Sequence, residues 1–250
     1  MNPTLLRAEL KRARRNRRTL IFAAVLPLIF FIAFSAGAGA NDTLGGLEVA
    51  PYVMVSMATY GAMNALFTGG GLIAAERSVG WTRQLRVAGL PGHDYVATKT
   101  LIAYLTAVPG LLLVFLFGAL FRDVHLDAAT WIEAGASVLL GLLPVAALGI
   151  AIGYAARAQS LQPLFGIGSA LLALLGGLWV PVETFPRWLA DLVQLLPTYW
   201  AAYAGRAVIA GSWVGWRGLI VIAAWTVVLA ALAAWAYQRD ALRPAAAGTT

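Results

Sequence analysis

An all-α integral membrane protein with six transmembrane helices is the fold class this sequence predicts, and three observations predict it. The chain of 250 residues is 60% hydrophobic and only 12% charged, against about 25% charged residues in an ordinary soluble domain. Six apolar runs contain no Asp, Glu, Lys or Arg. The remaining cations alternate between loops in the way that membrane topology requires.

The runs are Thr19–Gly39, Pro51–Ala75, Thr100–Phe121, Ala134–Ala156, Leu161–Trp179 and Gly218–Tyr237. Each is about the ~20 residues that a helix needs to cross the hydrocarbon core. A charge at mid-bilayer costs at least ~2.5–3.5 kcal/mol, so its absence from every run supports the assignment. With the N-terminus inside, fourteen of the 18 Lys/Arg fall on the cytoplasmic side and four outside (Arg122, Arg187, Arg206, Arg217). Both termini are therefore expected in the cytoplasm of a plasma-membrane protein. The domain reading is a connecting helix at 1–18, a six-span domain at 19–243 and a short cytoplasmic tail at 244–250.

The net charge of +7 does not point to nucleic acid. Seven cations lie in the first 18 residues, directly before an apolar run, where they favour an anionic leaflet by about 1 kcal/mol each. Residues 3–18 read as an amphipathic helix, with Leu5, Leu6 and Leu10 on one side and arginines on the other. Such a helix lies in the membrane interface or serves only to fix orientation.

Cysteine is absent, so there is no disulfide or thiol chemistry. His93 and His125 lie far apart, and no metal site is expected. Asp123, Asp127 and Glu133 read as solvated loop charges. No P-loop occurs: Gly69-Gly70-Gly71 is followed by Leu72 and Ile73, with no lysine to reach phosphates. HExxH and GxSxG motifs are missing too.

Several residues interrupt the spans. Pro27, Pro109 and Pro144 sit inside them, and Gly69–Gly71 near the end of the second. They serve local packing or act as hinges. Gly149 and Gly153 form a GxxxG pair that permits close helix contact.

The most informative segment is the charged island Glu76–Lys99, ERSVGWTRQLRVAGLPGHDYVATK. Trp81, Leu85 and Ala88 fall on one face of a short helix, and Arg83 and Arg86 on another. Gly89 and Pro91 stop it. A helix of this kind docks a partner or rests on the membrane surface. On the far side, Pro186 suits the first turn of a second short helix. Phe185, Trp188, Leu189, Leu192 and Leu196 share its face, and Arg187 and Asp191 pair on another. Tyr199, Trp200 and Tyr203 then suit the interface. These read as two short re-entrant helices.

Glu76, Gly80, Leu85, Pro91, Tyr95 and Lys99, in that order, resemble the loop between spans two and three of the type-two ABC exporter permeases. Gly177, Pro181, Pro186, Trp188, Leu196 and Pro197 resemble that family's segment after span five. Members often carry Thr-Pro after the first of these helices, where this chain has Ala88-Gly89-Leu90-Pro91. The resemblance implies a coupling helix docked on a separate ABC ATPase subunit, which binds ATP and Mg. The chain itself is expected to hold no cofactor. It further implies a second permease subunit, in a homodimer or heterodimer. The implied roles are ATPase coupling for Glu76, Trp81, Gln84, Leu85 and Arg86, and the extracellular gate for Pro181, Pro186 and Trp188. Tyr60, Asn64 and Phe67 would line the substrate path, with an interhelical hydrogen bond as the other role for Asn64. The expected cargo is hydrophobic or amphiphilic. A lipid-modifying membrane enzyme, or a sensor or scaffold that does not transport, are the other classes.

Overall fold

The computed structural model describes residues 3–15, 17–37, 39 and 42–241. The expected tail at 244–250 lies outside them. In order come α1 (Pro3–Arg15), α2 (Arg17–Ser35), a two-stranded hairpin of β1 (Thr43–Leu44) and β2 (Leu47–Glu48), and α3 (Val49–Ser78). Then follow α4 (Trp81–Val87), α5 (Gly92–Phe121), α6 (Ala128–Gly141), α7 (Leu143–Ala155) and α8 (Ala158–Leu175). A 3₁₀ turn (Val182–Thr184), α9 (Arg187–Val193), α10 (Pro197–Ile209) and α11 (Gly215–Ala241) complete the described elements.

Among the described residues, three helical stretches are long and apolar enough to cross a membrane: Gly92–Phe121, Ala128–Ala155 and Gly215–Asp240. Val25–Ser35 and Gln159–Leu175 are apolar but shorter. The axis of the bundle is α3, buried along most of its length and packed by α2, α5, α7, α8 and α10. It is rich in small and polar residues, and its Ser, Thr and Asn side chains are satisfied within the helix. Ser56 and Thr59 donate to the carbonyls of Tyr52 and Val55 at 2.8 and 2.7 Å.

Close approach explains the glycines. A Cβ on Gly153 would stand 2.5 Å from the carbonyl oxygen of Gly70, so α3 and α7 meet backbone to backbone as the GxxxG spacing allows. Gly69 and Gly71 turn toward Ala103 of α5 and Phe165 of α8. The glycine run therefore lets three neighbours approach one unbroken helix. Pro144 stands in the first turn of α7, after a joint at Leu142 (φ −88°, ψ 5°) that divides the expected fourth span into α6 and α7.

The expected fifth span ends early. Helix α8 stops at Leu175 rather than Trp179 because Gly177 adopts φ +70°. The Leu178 N–H then reaches back to the Ala173 carbonyl and the Gly177 N–H to that of Leu174, a Schellman closure. The third span, by contrast, begins early: α5 starts at Gly92, which puts Tyr95 and Lys99 on the span's own helix.

Candidate functional site

At the α4 end of the bundle, two adjacent residues of α3 anchor two charge networks. Glu76 is 4% exposed, and Lys99 and Glu9 are 3% and 6% exposed. The Lys99 ammonium donates to Glu76 Oε1 at 2.6 Å and pairs with Glu9 Oε1 at 2.9 Å. Arg12 Nη1 donates to Glu76 Oε1 at 2.6 Å, and the Tyr95 hydroxyl to Glu76 Oε2 at 2.6 Å. Two carboxylates thus meet two cations, and α1, α3 and α5 are joined. Buried ions are tolerated only when paired and hydrogen-bonded, and both carboxylates have a cation in contact.

Arg77 faces the other way. Its Nε and Nη2 donate to Asp240 Oδ1 at 2.9 and 2.6 Å, and Nη1 donates to the Gly153 carbonyl at 2.8 Å. Asp240 also accepts from Arg86 Nη2 of α4 at 3.2 Å. This network joins α3, α4, α7 and α11. Beneath α4, Leu85 and Leu90 pack on a small cluster of Ile73, Tyr95, Tyr154 and Ala236.

Helix α4 is bounded by two residues in the left-handed region, Gly80 (φ +75°) and Gly89 (φ +80°), a conformation that glycine adopts without steric cost. The helix ends at Val87 with Ala88 as its cap, which fixes the boundary that the missing Thr-Pro left open. Thr82 is buried and Leu85 and Arg86 are half-buried, whereas Trp81, Arg83, Gln84 and Ala88 are exposed. Along the Trp81–Leu85–Ala88 side, only Leu85 is drawn inward. Arg86 is held by Asp240 from 154 residues away, a contact that a helical wheel cannot register. Of the five residues assigned to coupling, Trp81 and Gln84 point outward, Leu85 and Arg86 fasten the helix, and Glu76 lies in the buried network.

The residues assigned to the path lie on one side of α3. Tyr60 is buried, with its ring 5.2 Å from Trp179 and 6.1 Å from Phe30. Phe67 stacks on Phe165 at 5.1 Å. Asn64 is half-buried, and its amide donates to the Tyr60 carbonyl one turn back at 2.8 Å. This bond is internal to α3, not the interhelical one anticipated, because the adjacent carbonyl lies within easier reach.

The opposite end carries the gate residues. Pro181 precedes the 3₁₀ turn, and Pro186 is the N-cap of α9, one position before the first turn. Trp188 is 65% exposed, and Leu192 also faces outward, while Val193 is the buried residue of α9. Arg187 and Asp191 are both exposed. The indole N–H groups of Trp200 and Trp225 donate to the carbonyls of Gln194 and Leu195, both at 2.7 Å, fastening α10 and α11 to the end of α9.

Glu9 was not singled out by the sequence reading, and Lys99 entered it as one of the residues of the family-like order with no role attached. A signal existed: Glu9 is an acid one turn from Leu5 and beside Leu10, within the apolar patch of α1. Asp240 left no such signal. Among the described residues, no group of three or more His, Cys, Asp or Glu is arranged to hold a metal.

The sequence model of the ABC-2 type transporter family matches residues 3–210. The chain belongs to the ABC-2 type transporter family. A relative named "Putative transport permease YvfS", from Bacillus subtilis (strain 168), is 28% identical over 234 residues, covering 93% of this chain and 95% of its own. The ABC-2 match takes in the whole network around Glu76. It stops short of α11 and so of Asp240, the residue that holds Arg77 and Arg86.

Proposed function

We propose that this chain is the permease subunit of an ATP-driven exporter, with six spans, both termini cytoplasmic and α4 as the docking element for a separate ATPase. The ATPase binds ATP and Mg. A second permease subunit, identical or homologous, completes the path, and the cargo is a hydrophobic or amphiphilic molecule such as a drug, antibiotic or lipid.

One observation carries the reading. Helix α4 offers Trp81, Arg83 and Gln84 outward while Arg86 is fastened through Asp240 to Arg77 of α3. A push on α4 therefore acts on the central helix. Thirty residues of α3 at 1.5 Å each make a rod of about 45 Å, long enough to carry displacement from the α4 end to the end beneath α9. ATP drives such a motion only if it binds the two states of the assembly differently. The fourteen-to-four division of cations supports a cytoplasmic α4, and the lack of charge in the apolar runs supports a cargo of low polarity.

The test uses the absence of cysteine. Gln84→Cys, expressed with a candidate ABC ATPase subunit carrying single cysteines along its surface cleft, is expected to cross-link with a yield that changes on adding ATP. A yield indifferent to nucleotide would indicate passive docking. No cross-link from position 81, 83 or 84, in folded protein, would remove the proposal.

A further inference from the structure

Arg206 of α10 is 6% exposed, and its Nε and Nη1 groups have no hydrogen-bond partner among the described residues. Its guanidinium lies over the ring of Tyr52 at 4.2 Å. A buried guanidinium with unmet N–H groups is costly, and the ring face compensates only in part. The nearest remedy lies across the same ring. Glu183, in the 3₁₀ turn between α8 and α9, accepts a hydrogen bond from the Tyr52 hydroxyl at 3.1 Å. The hairpin turn closes on it from the other side: a Cβ on Gly45 would come within 2.7 Å of Glu183 Oε1. A cation with two unmet N–H groups and an exposed carboxylate therefore flank one tyrosine without joining.

We infer that Glu183 and Arg206 are the two halves of a latch, held apart by Tyr52 in this state and joined when the α8–α9 turn moves toward α10. Joining gives Arg206 the acceptors it lacks. The carboxylate is the better acceptor for it than the phenol, because opposite charges in a fork-to-carboxylate geometry make the stronger bond. Tyr52 stands near the start of α3 and Arg77 near its end, so the rod that α4 moves also carries the element that keeps the latch open. Its meaning as a gate rests on the transport reading; its existence as a pair does not.

The test needs only the chain itself, in liposomes. Thr184→Cys places one thiol beside Glu183 at an exposed position, and its rate of labelling by a water-soluble maleimide reports whether the turn is free. Tyr52→Phe removes the hydroxyl that holds Glu183, and labelling is expected to slow by about five-fold or more, the lower range of ordinary coupling between sites. Adding Glu183→Gln to Tyr52→Phe should restore the original rate. That substitution is at an exposed position, so folding is preserved; Arg206→Gln, checked for a retained melting transition, should do the same. An unchanged rate in Tyr52→Phe, or slowing that persists with Glu183→Gln, would overturn the latch. Because no ATPase is present, its failure leaves docking at α4 untouched, and failure of the Gln84→Cys cross-link leaves the latch untouched.

Discussion

The two ends of α3 solve the same problem in opposite ways. At the α4 end, Lys99 is buried between two carboxylates and Arg77 is bonded to Asp240 and the Gly153 carbonyl. At the other end, Arg206 is as deeply buried, yet two of its nitrogens go without acceptors. Saturated networks resist rearrangement, because any movement must break charge-assisted bonds before making others. An unsatisfied one gains from movement. Under the transport reading proposed above, the first end suits force transmission and the second conformational change.

The largest effect should come from unbalancing the first end. Lys99→Met leaves Glu9 and Glu76 facing each other without their shared cation, and a loss of about 3–5 kcal/mol is expected for a broken buried pair. Thermal unfolding in detergent would read it, and a melting temperature near wild type would show that the ends are not so different. Next comes Gly153→Val, which forces α7 away from Gly70 and should cost about 1–3 kcal/mol through overpacking. Asp240→Asn keeps the shape of the side chain while removing the charge that holds Arg77 and Arg86. About 1–3 kcal/mol is expected, with faster proteolysis at residues 79–91 as the specific sign that α4 has come loose. Arg86→Gln should show the same sign more weakly, since its bond is the longer one at 3.2 Å.

The smallest effect is a pH dependence at the far end. The N–H of Thr130, and then its hydroxyl, hold the Asp127 carboxyl below the usual carboxylate range at the start of α6. A depressed folded pKa contributes stability above the unfolded pKa, which is lost as pH falls through the folded one. Asp127→Asn should therefore lower the melting temperature slightly at neutral pH and leave it unchanged at pH values below the folded pKa. The carboxylate is fully exposed, so the shift should be the least of the series.

What the sequence disclosed follows from distance along the chain. The apolar runs, the short helix between Gly80 and Gly89, and the two helices around Pro197 are local patterns, and each has its counterpart in the fold. The end of α8 was misjudged because Gly177 closes the helix inside an apolar run, where hydropathy sees no boundary. The hairpin at 43–48 went unseen because two-residue strands carry no periodicity. The anchoring of α4 by Asp240 and the pairing of Lys99 with Glu9 were beyond reach for another reason. Both depend on charges brought in from remote helices, and only Glu9, an acid among leucines, advertised itself. Asn64 illustrates the reverse error: a polar residue in a span invites a long-range partner, but the carbonyl one turn back was enough.

Asp240 has a consequence for biogenesis. Its bonds to Arg77 and Arg86 close segments separated by 163 and 154 residues. At a synthesis rate of about 5–20 residues per second, α4 emerges roughly 8–30 s before its anchor exists. The surface that α4 offers is thus fastened only after every other described helix has been made. A chain interrupted before the final turn of α11 would insert most of its length and still leave α4 untethered. Under the docking role proposed for α4, α11 acts as a timer on assembly, withholding a firm platform until its own final turn is made.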